Sequence, residues 1–245
     1  MNNFIFIKRA KDTEKKTLDG LSTTLGTIFA SQIPGIVAEM RIKKLLGRPT
    51  TDPTNMALID GLRDIIAKDK DIGALALARV TQPASYVAKI GDGKFIKHIT
   101  ESSYRDPAIL AHEYGHTQNK WLNEELKAKR QNKKIPIGSK LYGAGKFAPG
   151  LIATGSMLTD DENISLIANS LGSATTAPML WEELTASHKG SKALQEAAKI
   201  KNIKLTALQK LRPYMGIPTY MAAAAFPLAM HFGRKWGIGF KDNDK

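Results

Sequence analysis

The sequence contains no cysteine among its 245 residues. This absence excludes disulfide bonds, thiolate zinc sites and cysteine nucleophiles. Any transition metal must therefore be held by histidine, aspartate or glutamate. A zinc site without thiolates is typical of a catalytic centre, because structural zinc sites are mostly built with cysteine.

Acidic residues are also scarce, since 23 Asp and Glu stand against 36 Lys and Arg, for a formal net charge of +13. Such a charge favours an acidic partner, such as nucleic acid, an anionic lipid surface or an acidic assembly. The basic residues are spread over several segments, including 127–134 and 189–210. Aromatic residues make up only 7% of the chain and do not interleave with them, so nucleic-acid binding is not expected. The charge indicates either a solvated basic surface or contact with a membrane surface.

Long, strongly hydrophobic runs are missing, and the mean hydropathy of the chain is -0.24. Three stretches, 21–38, 143–181 and 213–233, are instead rich in Ala, Gly, Ser and Thr. Burial of such small side chains yields less free energy than burial of Leu or Ile. We interpret these stretches as helices packed through small residues, in protein or in lipid, that could contact a membrane or a hydrophobic partner.

The strongest motif is H-E-Y-G-H, which begins at His112 and matches the H-E-x-x-H pattern of zinc peptidases. Residues four apart lie one above the other on a helix, so His112 and His116 can present imidazole nitrogens to one metal ion. Glu113 lies beside them and can reach a metal-bound water as a general base. The alternative interpretation is a pair of surface histidines on a polar helix.

The residues around the motif predict a helix. Asp106 and Pro107 have the character of an N-cap and a first helical residue. From there the helix is predicted to run through Trp121 into the charged stretch 123–130. Gly115 has no side chain, which permits the close approach of another backbone element despite its cost to the helix.

A hydrolytic zinc ion needs a third protein ligand and one position left for water. The remaining histidines are His98, His188 and His231. Two carboxylates in apolar surroundings, Glu182 and Glu183, also follow the motif.

Helical periodicity distinguishes these two carboxylates. A helix is predicted from Met179 to about Lys201, and Glu183 shares one of its faces with the small residues Ala186, Ser187 and Gly190. That face could pack closely against Gly115. Glu182 is instead expected on a more solvated face, in line with Lys189 and Glu196. Glu183 is therefore the predicted third ligand.

Two further elements are predicted ahead of the motif. Apolar residues recur with helical spacing from Met56 to Ala67. The segment from Tyr86 to Ile99 predicts a β-hairpin, because apolar residues flank a Gly-Asp-Gly turn at 91–93. An exposed edge could pair with an extended substrate, although an ordinary packing hairpin explains the same pattern. Residues 72–82 are apolar and small and predict no particular element.

Three segments resemble the YugP-like family of bacterial membrane-bound neutral zinc metallopeptidases. Residues 111–118 look like the family's A-H-E-x-G-H-A-x-Q signature. Pro178 followed by 183–187 is similar to its P-x-E-F-D-A-S helix, and 219–224 is similar to its apolar T-Y-V-A-A segment. The resemblance covers roughly residues 85–235.

The resemblance implies that His112, His116 and Glu183 bind Zn2+ and that Glu113 is the catalytic base. Ser187 stands where the wider clan often has an aspartate, and its hydroxyl could hydrogen-bond a ligand histidine. The implied fold is mainly α (α+β) and zincin-like. It has a small β-hairpin or edge sheet before the zinc-binding helix and several small-residue apolar helices.

The expected organisation divides the chain at residue 80. Residues 1–80 resemble nothing in that family and are expected to form a helical region that serves as an anchor or an assembly surface. Residues 81–245 are expected to form the zinc metallopeptidase domain with its C-terminal apolar helices.

The expected function is zinc-dependent hydrolysis of peptide bonds in a protein or peptide substrate. Four candidates could stabilise the oxyanion: Tyr214, Tyr220, His188 and His231. A bacterial or phage-encoded protein at a membrane is expected, with a cytoplasmic or virion-associated protein as the alternative. A second hypothesis is a membrane-active or structural component of a larger assembly, such as a phage particle, with an auxiliary or vestigial peptidase site.

Overall fold

The computed structural model describes residues 52–77, 84–90, 93–101, 106–140, 152, 155–156, 159 and 161–242. The stretch 21–38 lies outside these residues, as does most of 143–160. The described part is mainly helical with a small three-stranded sheet, as the predicted fold class requires. Among the described helices, none combines the length and the hydropathy that a transmembrane span needs.

The described elements follow one another along the chain, with a 3-10 turn at Arg212–Tyr214. They are α1 Pro53–Ile66, β1 Ile72–Leu77, β2 Ala84–Lys89, β3 Phe95–Glu101, α2 Pro107–Thr117, α3 Lys120–Arg130, α4 Glu162–Ala174, α5 Ala177–Ile200, α6 Ala207–Leu211 and α7 Ile217–Asp242. Helices α1 and α5 confirm the helices predicted at 56–67 and 179–201.

The chain forms two compact units. The first, here called the site unit, comprises residues 39–146 and 177–220, and the second unit comprises 1–38, 147–176 and 221–245. Helix α1 and strand β1 therefore belong to the unit that carries the H-E-x-x-H motif. The division of the chain at residue 80 stays a prediction.

The described strands pair in the order β1-β3-β2, so β2 lies at one edge of the sheet that they form. Strand β2 runs antiparallel to β3, with Tyr86 opposite His98, and this pairing confirms the predicted hairpin. Strand β1 pairs with the other side of β3 in parallel, with Ile72 opposite Lys97. The sequence of β1, Ile-Gly-Ala-Leu-Ala-Leu, lacks the alternation of polar and apolar residues that indicates a half-buried strand. This strand was therefore not predicted.

The core of the site unit lies between α1, α2, α5 and β3. Its buried residues are Leu58, Ile59, Leu62, Ile65, Ile66, Ile99, Leu110, Ala111, Ala193, Leu194, Ala197, Ala198 and Leu205. The apolar residues of α1 recur every three or four positions, so one face of that helix is buried. The motif helix α2 is thus packed on this core through Leu110 and Ala111.

The motif helix α2 begins where the sequence predicts. Asp106 is its N-cap, and one carboxylate oxygen accepts a hydrogen bond of 2.8 Å from the Ala108 amide. The other oxygen accepts a hydrogen bond of 2.7 Å from Arg212. The Ile109 amide, at 3.4 Å, is a third donor, so this buried carboxylate is well satisfied and anchors the start of the helix.

The predicted end of this helix was wrong. Helix α2 stops at Thr117, and a new helix, α3, starts at Lys120 after a short turn. The backbone of Asn119 is extended (φ -78°, ψ 151°), and its buried side chain donates to the main-chain oxygen of Glu182 at 3.1 Å. This contact with α5 holds the chain out of helical geometry, and periodicity along the chain cannot reveal it.

Two glycines let α2 and α5 approach each other closely, as the small-residue face predicted. A Cβ atom built at Gly115 would overlap the carbonyl oxygen of Ala186. A Cβ atom built at Gly190 would lie 2.5 Å from the carbonyl oxygen of Ala111. Backbone atoms cannot rotate away as side chains do, so both positions require glycine. The contact brings together the helix faces that carry His112, His116 and Glu183.

We expect Gly115→Ala to destabilise the site unit by about 3 kcal/mol or more, because the new methyl group must displace a backbone carbonyl. Urea unfolding followed by circular dichroism measures the change. Gly216→Ala is the matched control in the same unit, since a Cβ atom there meets its nearest atom, in the Tyr220 ring, at an ordinary 3.6 Å. Its effect should stay within about 1 kcal/mol. Equal unfolding midpoints for Gly115→Ala and the wild type would contradict the close helix contact.

Candidate metal centre

Three side chains from two helices converge on one point. His112 and His116 project from α2, and Glu183 projects from α5. The His112 Nε2 atom lies 3.2 Å from His116 Nε2 and 3.2 Å from Glu183 Oε2. The His116 Nε2 atom lies 3.3 Å from Glu183 Oε2. These three atoms form a nearly equilateral triangle of possible metal donors.

The size of this triangle is suited to a tetrahedral metal ion. Zinc–ligand bonds of about 2.0–2.1 Å place two donors of a tetrahedral ion about 3.3–3.4 Å apart. The observed separations of 3.2 and 3.3 Å are close to that length. Two imidazoles and one carboxylate also form a donor set typical of catalytic zinc, with the fourth position left open. The residues therefore fit a catalytic zinc ion in both chemistry and size.

The opposite ring nitrogens of both histidines have partners of their own. Ser187 Oγ lies 3.1 Å from His112 Nδ1, and Glu182 Oε1 lies 3.2 Å from His116 Nδ1. A carboxylate only accepts hydrogen bonds, so we assign the proton of neutral His116 to Nδ1. Its Nε2 lone pair then points to the centre of the triangle. Ser187 can fix the same tautomer of His112, which agrees with the role that the family resemblance implies.

The expectation of a solvated Glu182 was wrong. Glu182 is 5% exposed and Glu183 is 2% exposed, so α5 buries both carboxylates against α2. Lys189, which was expected on the same solvated face, donates to the main-chain oxygen of Gln118 at 2.6 Å. The turn after α2 folds over this side of α5 and covers it. Periodicity within α5 could not show this cover, because the cover comes from a segment more than 60 residues away.

Hydrogen bonds between the two helices shift the pKa values of His116 and Glu183. Burial disfavours charge on His116, but hydrogen bonds to Glu182 and Glu183 outweigh it and raise the pKa of His116 to about 10. Burial also opposes the charge on Glu183, yet hydrogen bonds from the two histidines lower the pKa of Glu183 to about 2. A metal ion must displace the proton from His116, so metal affinity should fall as the pH falls.

Glu113, the predicted general base, lies outside the triangle formed by His112, His116 and Glu183. It is buried, and its Oε2 atom accepts a hydrogen bond of 2.7 Å from the hydroxyl of Ser85 on strand β2. The same hydroxyl lies 2.7 Å from the main-chain oxygen of Glu113. Sequence reasoning missed Ser85, because no motif singles out a serine in a hairpin strand.

The candidate oxyanion donors differ in their surroundings. Burial, together with the nearby charges of Glu183 and Glu113, raises the pKa of the Tyr220 hydroxyl above the usual range. Tyr214 instead pairs with His188, with 3.2 Å between the hydroxyl and Nδ1. Among the described residues, Tyr220 is therefore the candidate that lies near a predicted metal ligand.

The other two histidines also have partners away from the donor triangle. The ring of His98 stacks on Tyr86, with 5.0 Å between ring centroids. His231 is buried in the second unit, where its Nδ1 atom lies 3.1 Å from Ser165 Oγ. Neither belongs to the cluster of His112, His116 and Glu183, the group among the described residues that could hold a metal ion.

Comparison with known proteins identifies no relative of this chain. No family model, no curated protein and no solved structure matches the chain.

Proposed function

We propose that this chain is a zinc-dependent peptidase related to the YugP-like family, with His112, His116 and Glu183 as the zinc ligands. The observation that carries the proposal is the convergence of three donor atoms at tetrahedral spacing, 3.2, 3.2 and 3.3 Å apart. The partners on the far sides of both imidazoles support it, because ligand histidines in metalloproteins are held in this way. Two unrelated surface histidines would need neither converging donor atoms nor partners for their far ring nitrogens.

Glu113 is the general base in this proposal. A zinc ion held by His112, His116 and Glu183 would supply Lewis acidity, which would activate a water molecule and polarise the scissile carbonyl. Glu113 takes a proton from the attacking water and passes it to the leaving amine, which is worth roughly 10²–10⁴-fold in rate. Tyr220, whose hydroxyl lies near Glu183, is the proposed donor to the oxyanion.

The substrate proposed here is a peptide in extended conformation. Strand β2 is the edge of the sheet, and its Ser85 touches the proposed base. An extended peptide can add to such an edge through main-chain hydrogen bonds, which suit any sequence. A strand bound there would run next to Glu113, so its peptide bonds would lie near the base.

We further propose that the second unit of the protein contacts lipid. Its helix α4 buries small or polar residues, Ser165, Asn169 and Gly172. Its apolar residues face outward, with Ile167 61% exposed and Leu171 60% exposed. This is the reverse of a helix in water, whereas polar residues inside and apolar residues outside are typical of helices in lipid. The net charge of +13 would favour an anionic surface.

The proposed function is tested on purified full-length protein. We expect about one zinc ion per chain by elemental analysis and cleavage of unfolded casein, with both lost in a chelator and restored by added zinc. The same preparation should sediment with anionic phospholipid vesicles and not with neutral ones. A protein that binds no zinc and cleaves no peptide, with or without vesicles, would refute the peptidase proposal. Sedimentation with neither kind of vesicle would refute the lipid contact alone.

A further inference from the structure

The hydroxyl of Ser85 has an unusual pair of acceptors. It lies 2.7 Å from Oε2 of Glu113 and 2.7 Å from the main-chain oxygen of the same residue. A serine hydroxyl carries one proton, so it can donate to only one of these oxygens at a time. Both acceptors belong to the residue that we propose as the general base. Ser85 is thus tied to both the backbone and the carboxylate of Glu113.

The position of Ser85 in the sheet makes this contact rigid. Side chains alternate along a strand, so Ser85 and Val87 point to the face that carries α2, and Tyr86 points to the other face. Ser85 is paired with Ile99 of β3, which is fully buried. Main-chain pairing and the core beneath β3 therefore hold the hydroxyl in place. The hydrogen bond from this hydroxyl therefore restrains the position of the Glu113 carboxylate.

We propose that Ser85 is a positioning residue for the general base, an inference that rests on the proposed peptidase function. Its hydrogen bond holds Oε2 and leaves the second oxygen of Glu113, Oε1, to take the proton of the attacking water. While Oε1 carries that proton, Oε2 remains a hydrogen-bond acceptor, so the Ser85 hydroxyl can continue to donate to it. The base therefore keeps a partner both before and after proton transfer.

The same contact links the base to the substrate. Ser85 lies on the edge strand to which an extended peptide would add. The register of a bound peptide is then set by the strand that also orients Glu113. Strand β2 would thus keep the carboxylate of Glu113 aligned with the peptide bond. This alignment matters because a shift of about 1 Å in a catalytic group can lower the rate about 10²-fold.

Ser85→Ala tests the inference in zinc-loaded, full-length protein. We expect kcat for casein-derived peptides to fall about 10–100-fold, with KM, zinc content and melting temperature close to those of the wild type. Ser85→Thr keeps a hydroxyl on the same strand and should recover most of the rate. Ser191→Ala is the matched control, because this buried serine donates to the main-chain oxygen of Lys210 at 3.0 Å, away from Glu113.

A double-mutant cycle separates positioning from a direct role. If Ser85 acts through Glu113, adding Ser85→Ala to Glu113→Gln should lower the remaining rate less than about twofold. Equal loss in both backgrounds would overturn the inference, as would a wild-type rate in Ser85→Ala. A wild-type protein that fails to cleave would refute the proposed function and this inference with it. Cleavage by wild type together with full activity of Ser85→Ala would refute the inference alone.

Discussion

Replacement of Glu113 with glutamine should leave zinc bound and reduce peptide cleavage about 10²–10⁴-fold, equivalent to about 3–5.5 kcal/mol of transition-state stabilisation. Glutamine keeps the size of the side chain and can still accept a hydrogen bond from Ser85. It lacks the carboxylate that takes a proton. Because Glu113 is not one of the three converging donors, its replacement should not release the metal. Cleavage rate, zinc content and melting temperature are measured on one preparation.

Glu124→Gln is the matched control for this change. Glu124 lies on the next helix and pairs at 3.6 Å with Lys120, whose side chain is 82% exposed. A solvent-screened pair of this kind contributes little to stability, so the control should cleave at the wild-type rate. If Glu113→Gln cleaves as fast as the wild type with zinc in place, Glu113 is not the base. If it loses zinc or its melting temperature falls sharply, Glu113 has a structural role instead.

The second large effect is expected at the adjacent carboxylates of α5. Glu183→Ala should abolish stable zinc binding, because it removes one of the three donors and leaves two histidines. Glu182→Gln should keep the metal with an affinity about 10–100-fold weaker, since Glu182 contacts only the far nitrogen of His116. Competition with a zinc-binding dye measures both affinities. The two variants thus distinguish the proposed zinc ligand, Glu183, from its neighbour Glu182, which contacts the ligand His116 and not the metal.

The decisive outcome is which of the two variants, Glu183→Ala or Glu182→Gln, loses more zinc affinity. A greater loss of zinc in Glu182→Gln than in Glu183→Ala would contradict the assignment of the third ligand. Circular dichroism must show that both proteins remain folded, because both carboxylates are buried. Removal of one partner of a buried pair also leaves a buried charge uncompensated, so both variants should melt at a lower temperature.

The sequence contained much of the candidate site in local patterns. The i, i+4 spacing of His112 and His116, the Asp106 N-cap and the turn between β2 and β3 depend on neighbours within a few residues. Helical periodicity also placed Glu183 on the small-residue face of α5, and the structure brings that face against α2. The family resemblance pointed to Ser187, which lies beside His112.

The errors and omissions share one cause, which is contact between distant parts of the chain. The break after Thr117 and the burial of Glu182 both come from the packing of the α2–α3 turn on α5. The contact between Ser85 and Glu113 joins residues 28 positions apart. Strand β1 is defined by its parallel pairing with β3, not by its own sequence pattern. None of these contacts leaves a periodic signal within one element.

The sequence by itself therefore determined which residue types could hold a metal and on which helices they lie. Helix formation, capping and the repeat of faces are set by short-range sterics and hydrogen bonds, which are written into consecutive residues. Only the tertiary structure decided the distances between the donors and the partners of their far nitrogens. The donor distances depend on how closely Gly115 and Gly190 allow α2 and α5 to pack. The contact between Ser85 and Glu113 depends on how strand β2 lies against α2.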